Sequence, residues 1–106
     1  MNSNTDKLKF LKNNLYSIFG NIIKEIILFG SQAKGNASEF SDYDLLVYLS
    51  VDYDWKFKDK IRDIVCDFEI ENEIIIDLHF ISDTEIDTIR WNNPLINNAI
   101  KEGIYL

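Results

Sequence analysis

Leu8, Leu11, Leu15 and Ile18 recur at spacings of three and four, the period of one helix face, and predict a helix over residues 5–19. Thr5 or Asn4 is placed to cap its start and Gly20 to end it. The pattern then changes. Residues 24–29 (KEIILF) form a short apolar run that reads as a strand entering Gly30. Residues 43–49 (YDLLVYL) and 74–81 (IIIDLHFI) read as two further strands. Between them Phe57, Ile61, Ile64, Val65 and Phe68 return to helical spacing over 55–69, and Glu71, Asn72 and Glu73 make a polar break. Ser82 or Asp83 suits the cap of a helix starting near Thr84; Pro94 interrupts it, and a last short helix over 95–101 ends at Gly103. Residues 31–42 (SQAKGNASEFSD) are small and polar around Gly35 and read as a loop, at least in part.

The order helix, strand, loop, strand, helix, strand, helix, helix is that of an α/β (α+β) fold. The link between the first two strands is short for a parallel crossover, so the small β-sheet is expected to be mixed, with helices packed mainly on one face. A length of 106 residues indicates a single domain over 1–106.

Composition narrows the function. With 46% hydrophobic residues the chain is globular rather than disordered. A formal net charge of −7 argues against a broad surface for nucleic acid phosphates, while leaving room for a nucleotide bridged by a divalent cation. The one cysteine, Cys66, excludes an internal disulfide and a cysteine-based zinc site; among Ile64, Val65 and Phe68 it reads as a small buried core residue. The polar N-terminus lacks the apolar stretch of a signal peptide, and no apolar run is long enough to cross a bilayer, so a cytoplasmic protein is expected.

The informative chemistry lies in residues 29–49 (FGSQAKGNASEFSDYDLLVYL). Asp42 and Asp44, two apart in an extended chain, point to one side with Cα atoms roughly 6–7 Å apart. They offer two hard carboxylates to one spot, which suits Mg²⁺. Because Leu45, Leu46 and Val47 follow, these acids stand at the mouth of a buried strand. A third acid, Asp77, interrupts the apolar run IIIDLHFI, where an unpaired carboxylate is costly to bury. If its strand lies beside that of Asp42 and Asp44, three carboxylates converge and call for a cation. Gly30 allows close backbone approach, and Ser31 offers N–H and O–H donors to phosphate oxygens.

Gly30-Ser31, ten residues, then Asp42-x-Asp44 resembles the signature of the nucleotidyltransferase superfamily related to DNA polymerase β. The short chain is similar to its minimal nucleotidyltransferase branch, many of whose members are antitoxins paired with a helical HEPN-domain ribonuclease. The resemblance covers roughly residues 22–81 and extends loosely to the C-terminal NPLINNAIKEGIYL. It implies the nucleotidyltransferase fold, two Mg²⁺ ions on Asp42, Asp44 and Asp77, and a nucleoside triphosphate, ATP, whose phosphates meet Gly30, Ser31 and Lys34. It implies AMP transfer to a hydroxyl, tyrosine being the expected acceptor, on a HEPN toxin partner. Asp77 then completes the metal shell and orients or helps deprotonate the attacking hydroxyl. Relatives often carry arginine where this chain has Gln32 and Lys34; Lys34 keeps a point charge and Gln32 supplies none. Two other functions fit the same resemblance. One is an antitoxin that neutralises its partner by contact alone. The other is the catalytic subunit of a two-component nucleotidyltransferase acting on a small molecule.

His79, the one histidine, shares a strand face with Asp77 by alternation and is expected to be hydrogen-bonded beside the sheet or to touch the nucleotide. Tyr43, Tyr48 and Tyr53 are expected to serve strand packing. Trp55 and Trp91 suit either core or a partner interface. Asp52, Asp54, Asp59, Asp63 and Asp67 read as a solvated acidic surface. The apolar residues Trp91, Leu95, Ile96, Ile100, Ile104 and Tyr105 exceed what a short tail needs, so part of that segment is expected to pack on the core and part to associate, in a homo- or hetero-oligomer.

Overall fold

Strand β1 (Ile23–Phe29) sends alternate side chains to opposite sides of a sheet, Ile26 and Leu28 into one apolar cluster, Ile27 and Phe29 into another. The computed structural model describes residues 3–35 and 42–106. Within them the sheet also contains β2 (Tyr43–Leu49), β3 (Ile76–Ser82) and β4 (Ile104–Tyr105), in the order β3-β2-β1-β4. β2 runs antiparallel to β1 and parallel to β3, so the sheet is mixed and the three strands read from sequence are neighbours. The two-residue β4 was not legible; it pairs antiparallel with β1 through Ile27↔Tyr105 and Leu28↔Ile104.

The two long helices, α1 (Ser3–Phe19) and α3 (Trp55–Asn72), cover one face. Thr5, Leu8, Leu11 and Leu15 form the buried stripe of α1. Ile18, expected in that stripe, is 54% exposed; Phe19, four residues after Leu15, packs against the core instead and meets the Phe57 ring edge-on at 5.2 Å. On α3 the buried residues are Ile61, Val65 and Phe68. Cys66 is exposed, which corrects the reading of it as core: one helix step past Val65 turns it away from the buried stripe. Asp54 caps α3 by accepting from the Phe57 N–H at 2.9 Å, and the helix runs through the expected polar break to Glu73, which ends it at φ 57°. The Ile76 N–H donates to Glu69 Oε2 at 2.8 Å, and β3 begins there rather than at Ile74.

The opposite face is covered by α4 (Ile86–Asn92) and α5 (Pro94–Glu102), with Ile96 and Ala99 of α5 packed on Ile27, Phe29, Leu46 and Ile81. Neither Ser82 nor Asp83 caps α4: Ser82 belongs to β3, and Asp83 accepts from Lys24 Nζ at 3.0 Å and from the Tyr48 hydroxyl. Pro94 is the first residue of α5, and Asn93 caps it by accepting from the N–H groups of Leu95 and Ile96. Leu95 and Tyr105 are exposed while Ile96 is buried, so the C-terminal apolar segment is divided between core and surface. Residues 36–41 of the expected loop, and the side chain of Trp91, lie outside the described residues. No helix among the described residues is long and apolar enough to cross a membrane.

Candidate active site

The register of the sheet places acids side by side. Asp44 pairs with Phe29 across the β1–β2 ladder and with Asp77 across β2–β3, while Leu46 pairs with His79. Tyr43, Leu45 and Val47 face the cluster under α1 and α3, and Leu46 faces α5. Alternation therefore puts Asp44, Asp77 and His79 on the α5 side of the sheet. The apolar cover there takes in Leu46 and Ile81; one strand position beyond Leu46 the same face carries Asp44.

One donor atom from each of Asp44, Asp77 and His79 lies within 4.8 Å of the others. His79 Nε2 stands 3.4 Å from Asp77 Oδ2 and 3.9 Å from Asp44 Oδ1. Asp44 and His79 are largely buried and Asp77 is exposed. Burial raises the Asp44 pKa above its ordinary value, and the Asp77 charge raises it further; His79 opposes both, and Asp42 adds a smaller push upward. Asp42 is exposed at the strand mouth, close enough for its charge to act on Asp44, but it is not in the converging group.

Gly30 ties the preceding turn to these acids. It adopts φ 76°, ψ −158°, a conformation essentially confined to glycine, and an added Cβ would overlap Asp44 Oδ2. Ser31 opens the short helix α2 (Ser31–Lys34) and is exposed. Lys34, expected to reach phosphates, is exposed and lines a separate cleft of about 130 Å³ with Phe29, Gly30, Ala33, Leu95 and Ala99. Gly30 is thus the residue shared by the acid group and this cleft.

These residues fit a divalent cation. Two carboxylates facing one another repel, and the Asp77 charge adds to burial, the larger cause, in raising the Asp44 pKa. The enclosed His79 Nε2 has no hydrogen-bond partner among the described residues. The glycine cradle leaves the Asp44 carboxylate free of side-chain cover on its Gly30 side. A cation on Asp44 and Asp77 relieves the repulsion and takes up the acceptor capacity of the carboxylates.

Among the other residues named from sequence, Tyr43 is buried and its hydroxyl accepts from Asn4 Nδ2 at 2.6 Å. Tyr53 donates to Glu85 Oε1 at 2.7 Å; burial and then Glu85 push its pKa up. Trp55 is 68% exposed, which places it on the surface rather than in the core. Asp52, Asp54, Asp59, Asp63 and Asp67 are all exposed as expected; Asp54 in addition caps a helix, and Asp52 accepts from Ser82 at 3.3 Å and from Thr84. The contribution of His79 had one sequence signal, its alternation with Asp77; its proximity to Asp44 depends on the parallel pairing of β2 and β3.

Comparison with known proteins bears on the family and the fold. A relative from Methanocaldococcus jannaschii, named "putative protein adenylyltransferase", is 30% identical over 96 residues, covering 91% of this chain and 90% of its own. The fold is similar to the crystal structure of a "putative nucleotidyltransferase" from Sulfolobus solfataricus, with TM-score 0.57 and 22% identity, over 94% of this chain and 76% of that one. The family model described as "Nucleotidyltransferase domain" matches residues 8–106, and the chain belongs to that family.

Proposed function

We propose that the chain is a divalent-cation-dependent protein adenylyltransferase, moving AMP from ATP to a tyrosine hydroxyl of a HEPN-domain toxin and thereby acting as its antitoxin. The observation that carries this reading is the seating of Gly30 on the Asp44 carboxylate, with Asp77 in register beside it. Membership of the family and the name of the Methanocaldococcus relative support it. The same reading implies work in the cytoplasm.

Each residue then has a role. Asp44 and Asp77, with Asp42 at the strand mouth, would hold the cations; Mg²⁺ or a similar divalent ion supplies charge neutralisation on the triphosphate and on the oxygens that attack and leave. Gly30 lets the turn approach the phosphates, and the exposed Ser31 offers its N–H and hydroxyl to their oxygens. The tyrosine oxygen forms a bond to the α-phosphorus, the bond from that phosphorus to the bridging oxygen breaks, and pyrophosphate leaves. A tyrosine hydroxyl ionises only near pH 10 in water, so its proton needs an acceptor during attack. The carboxylate of Asp77, the more exposed of the paired acids, would take it. In this reading the acceptor is presented by the partner, for which exposed Leu95 and Tyr105 offer apolar contact.

Incubating the chain and its partner with ATP and Mg²⁺ and weighing the intact partner tests the proposal. A mass gain of one adenylyl group is expected. An unchanged mass with the toxin still suppressed replaces it with neutralisation by contact, a reading that the uncharged Gln32 and the placement of Lys34 in the separate cleft favour.

A further inference from the structure

We propose that His79 supplies an imidazole nitrogen to the cation held by Asp44 and Asp77, so that this site prefers Mn²⁺ to Mg²⁺. The proposal rests on the reading of those two aspartates as cation ligands.

Three observations carry it. His79 Nε2 is fully enclosed and has no hydrogen-bond partner among the described residues, a costly state for a ring nitrogen unless something else engages it. Its close polar neighbours are the carboxylate oxygens of the same group, Asp77 Oδ2 at 3.4 Å and Asp44 Oδ1 at 3.9 Å. Ligands adjacent on one cation stand about 3 Å apart at ordinary metal–ligand distances, so small side-chain adjustments bring all three donors onto one ion. The ring is also held in place: Phe29 packs against it at 5.3 Å between centroids and 60° between planes, and the backbone of His79 lies in the β2–β3 ladder opposite Leu46. A ring restrained in this way presents the same nitrogen to the same spot.

The donor set decides which ion benefits. Mg²⁺ favours oxygen ligands in near-ideal octahedral arrangement, whereas first-row transition ions accept imidazole readily. One nitrogen beside two carboxylates therefore shifts preference toward Mn²⁺ and its heavier neighbours. The competing account of the same geometry leaves Nε2 facing the Asp77 carboxylate at 3.4 Å with no ion between them.

Pulsed electron paramagnetic resonance of Mn²⁺ bound to the untagged full chain, without nucleotide, separates the two. The chain has one histidine, so nitrogen-15 histidine labelling assigns any coupling without ambiguity. The expected result is nitrogen modulation on bound Mn²⁺ that changes isotope pattern on labelling. His79→Gln should lose the modulation and bind Mn²⁺ about tenfold more weakly, with little change for Mg²⁺. Bound Mn²⁺ without nitrogen coupling in the wild-type chain overturns the role of His79 and leaves the aspartate reading standing. Mn²⁺ affinity that is equal in wild type and Asp44→Asn removes the aspartates from the site, and the proposal falls with them.

Discussion

Gly30 and Asp44 fill one space: the glycine Cα sits where a methyl group would collide with the aspartate carboxylate, and its φ of 76° already excludes most other residues. The turn that follows β1 and the acid that opens β2 are therefore fitted to each other, across the pairing of Phe29 with Asp44.

Gly30→Ala should consequently act on stability and site together. Backbone strain at such a conformation costs of order 1–3 kcal/mol, and the displaced carboxylate adds to it. Urea unfolding should show a loss of about that size, and calorimetry should show weakened Mn²⁺–ATP binding. Ordinary stability with ordinary binding would mean that the turn can relax away from Asp44.

Alternation made much of this legible in the sequence. The strand runs around Leu45–Val47 and Ile76–Ile81 identified β2 and β3, and their period put Asp77 and His79 on one face. The register itself was not legible, since nothing local in either strand specifies that Asp44 stands opposite Asp77 rather than two residues away; the crossover through α3 and the shared core set that. Cys66 was misread because its apolar neighbours in sequence, Val65 above all, lie on a different helix face. The strand Ile104–Tyr105 is too short to carry a period.

Helix α5 covers the sheet face that carries the acids, its Ile96 and Ala99 sharing one apolar cluster with Leu46 and Ile81. Its N-terminus depends on the Asn93 side chain, which accepts from Leu95 N–H at 3.1 Å and Ile96 N–H at 3.4 Å. Asn93→Ala should cost about 1 kcal/mol in denaturant unfolding, whereas Asn93→Asp should keep most of the stability because aspartate caps equally well. Equal losses in both variants would place the effect elsewhere.

The raised pKa of Asp44 makes the metal-free chain sensitive to pH. A carboxyl that holds its proton more tightly in the folded state disfavours folding once it must ionise. No penalty exists below the ordinary Asp value of 3.8; it develops as pH rises from there through the higher folded value and is complete above it. In EDTA, the thermal midpoint of wild type should therefore fall relative to that of Asp44→Asn as pH climbs through this window, and the difference should shrink at the acid end. A constant difference at every pH would detach the effect from ionisation.

Asp44 and Asp77 differ in environment, and that difference separates their variants. Asp44 has its side chain 28% exposed, stands against Gly30 and feels the charges of Asp77, His79 and Asp42; Asp77 is 56% exposed on the neighbouring strand. Asp44→Asn should lose both cation-dependent ATP binding and AMP transfer, because Asp44 is the acid that meets both the Gly30 turn and Asp77. Asp77→Asn keeps the side-chain shape, so the fold and part of the ATP binding should persist through Asp44 and Asp42. Transfer should nevertheless fall by about a hundredfold or more, since an amide cannot accept the tyrosine proton. Calorimetry with Mn²⁺–ATP and intact-mass assay of the partner, run on both variants, give the two readouts separately. If the rate of transfer by Asp77→Asn matches wild type, the proton leaves by another route and Asp77 is confined to holding the cation. If Asp44→Asn binds Mn²⁺–ATP as tightly as wild type, the nucleotide does not sit on this end of the sheet at all.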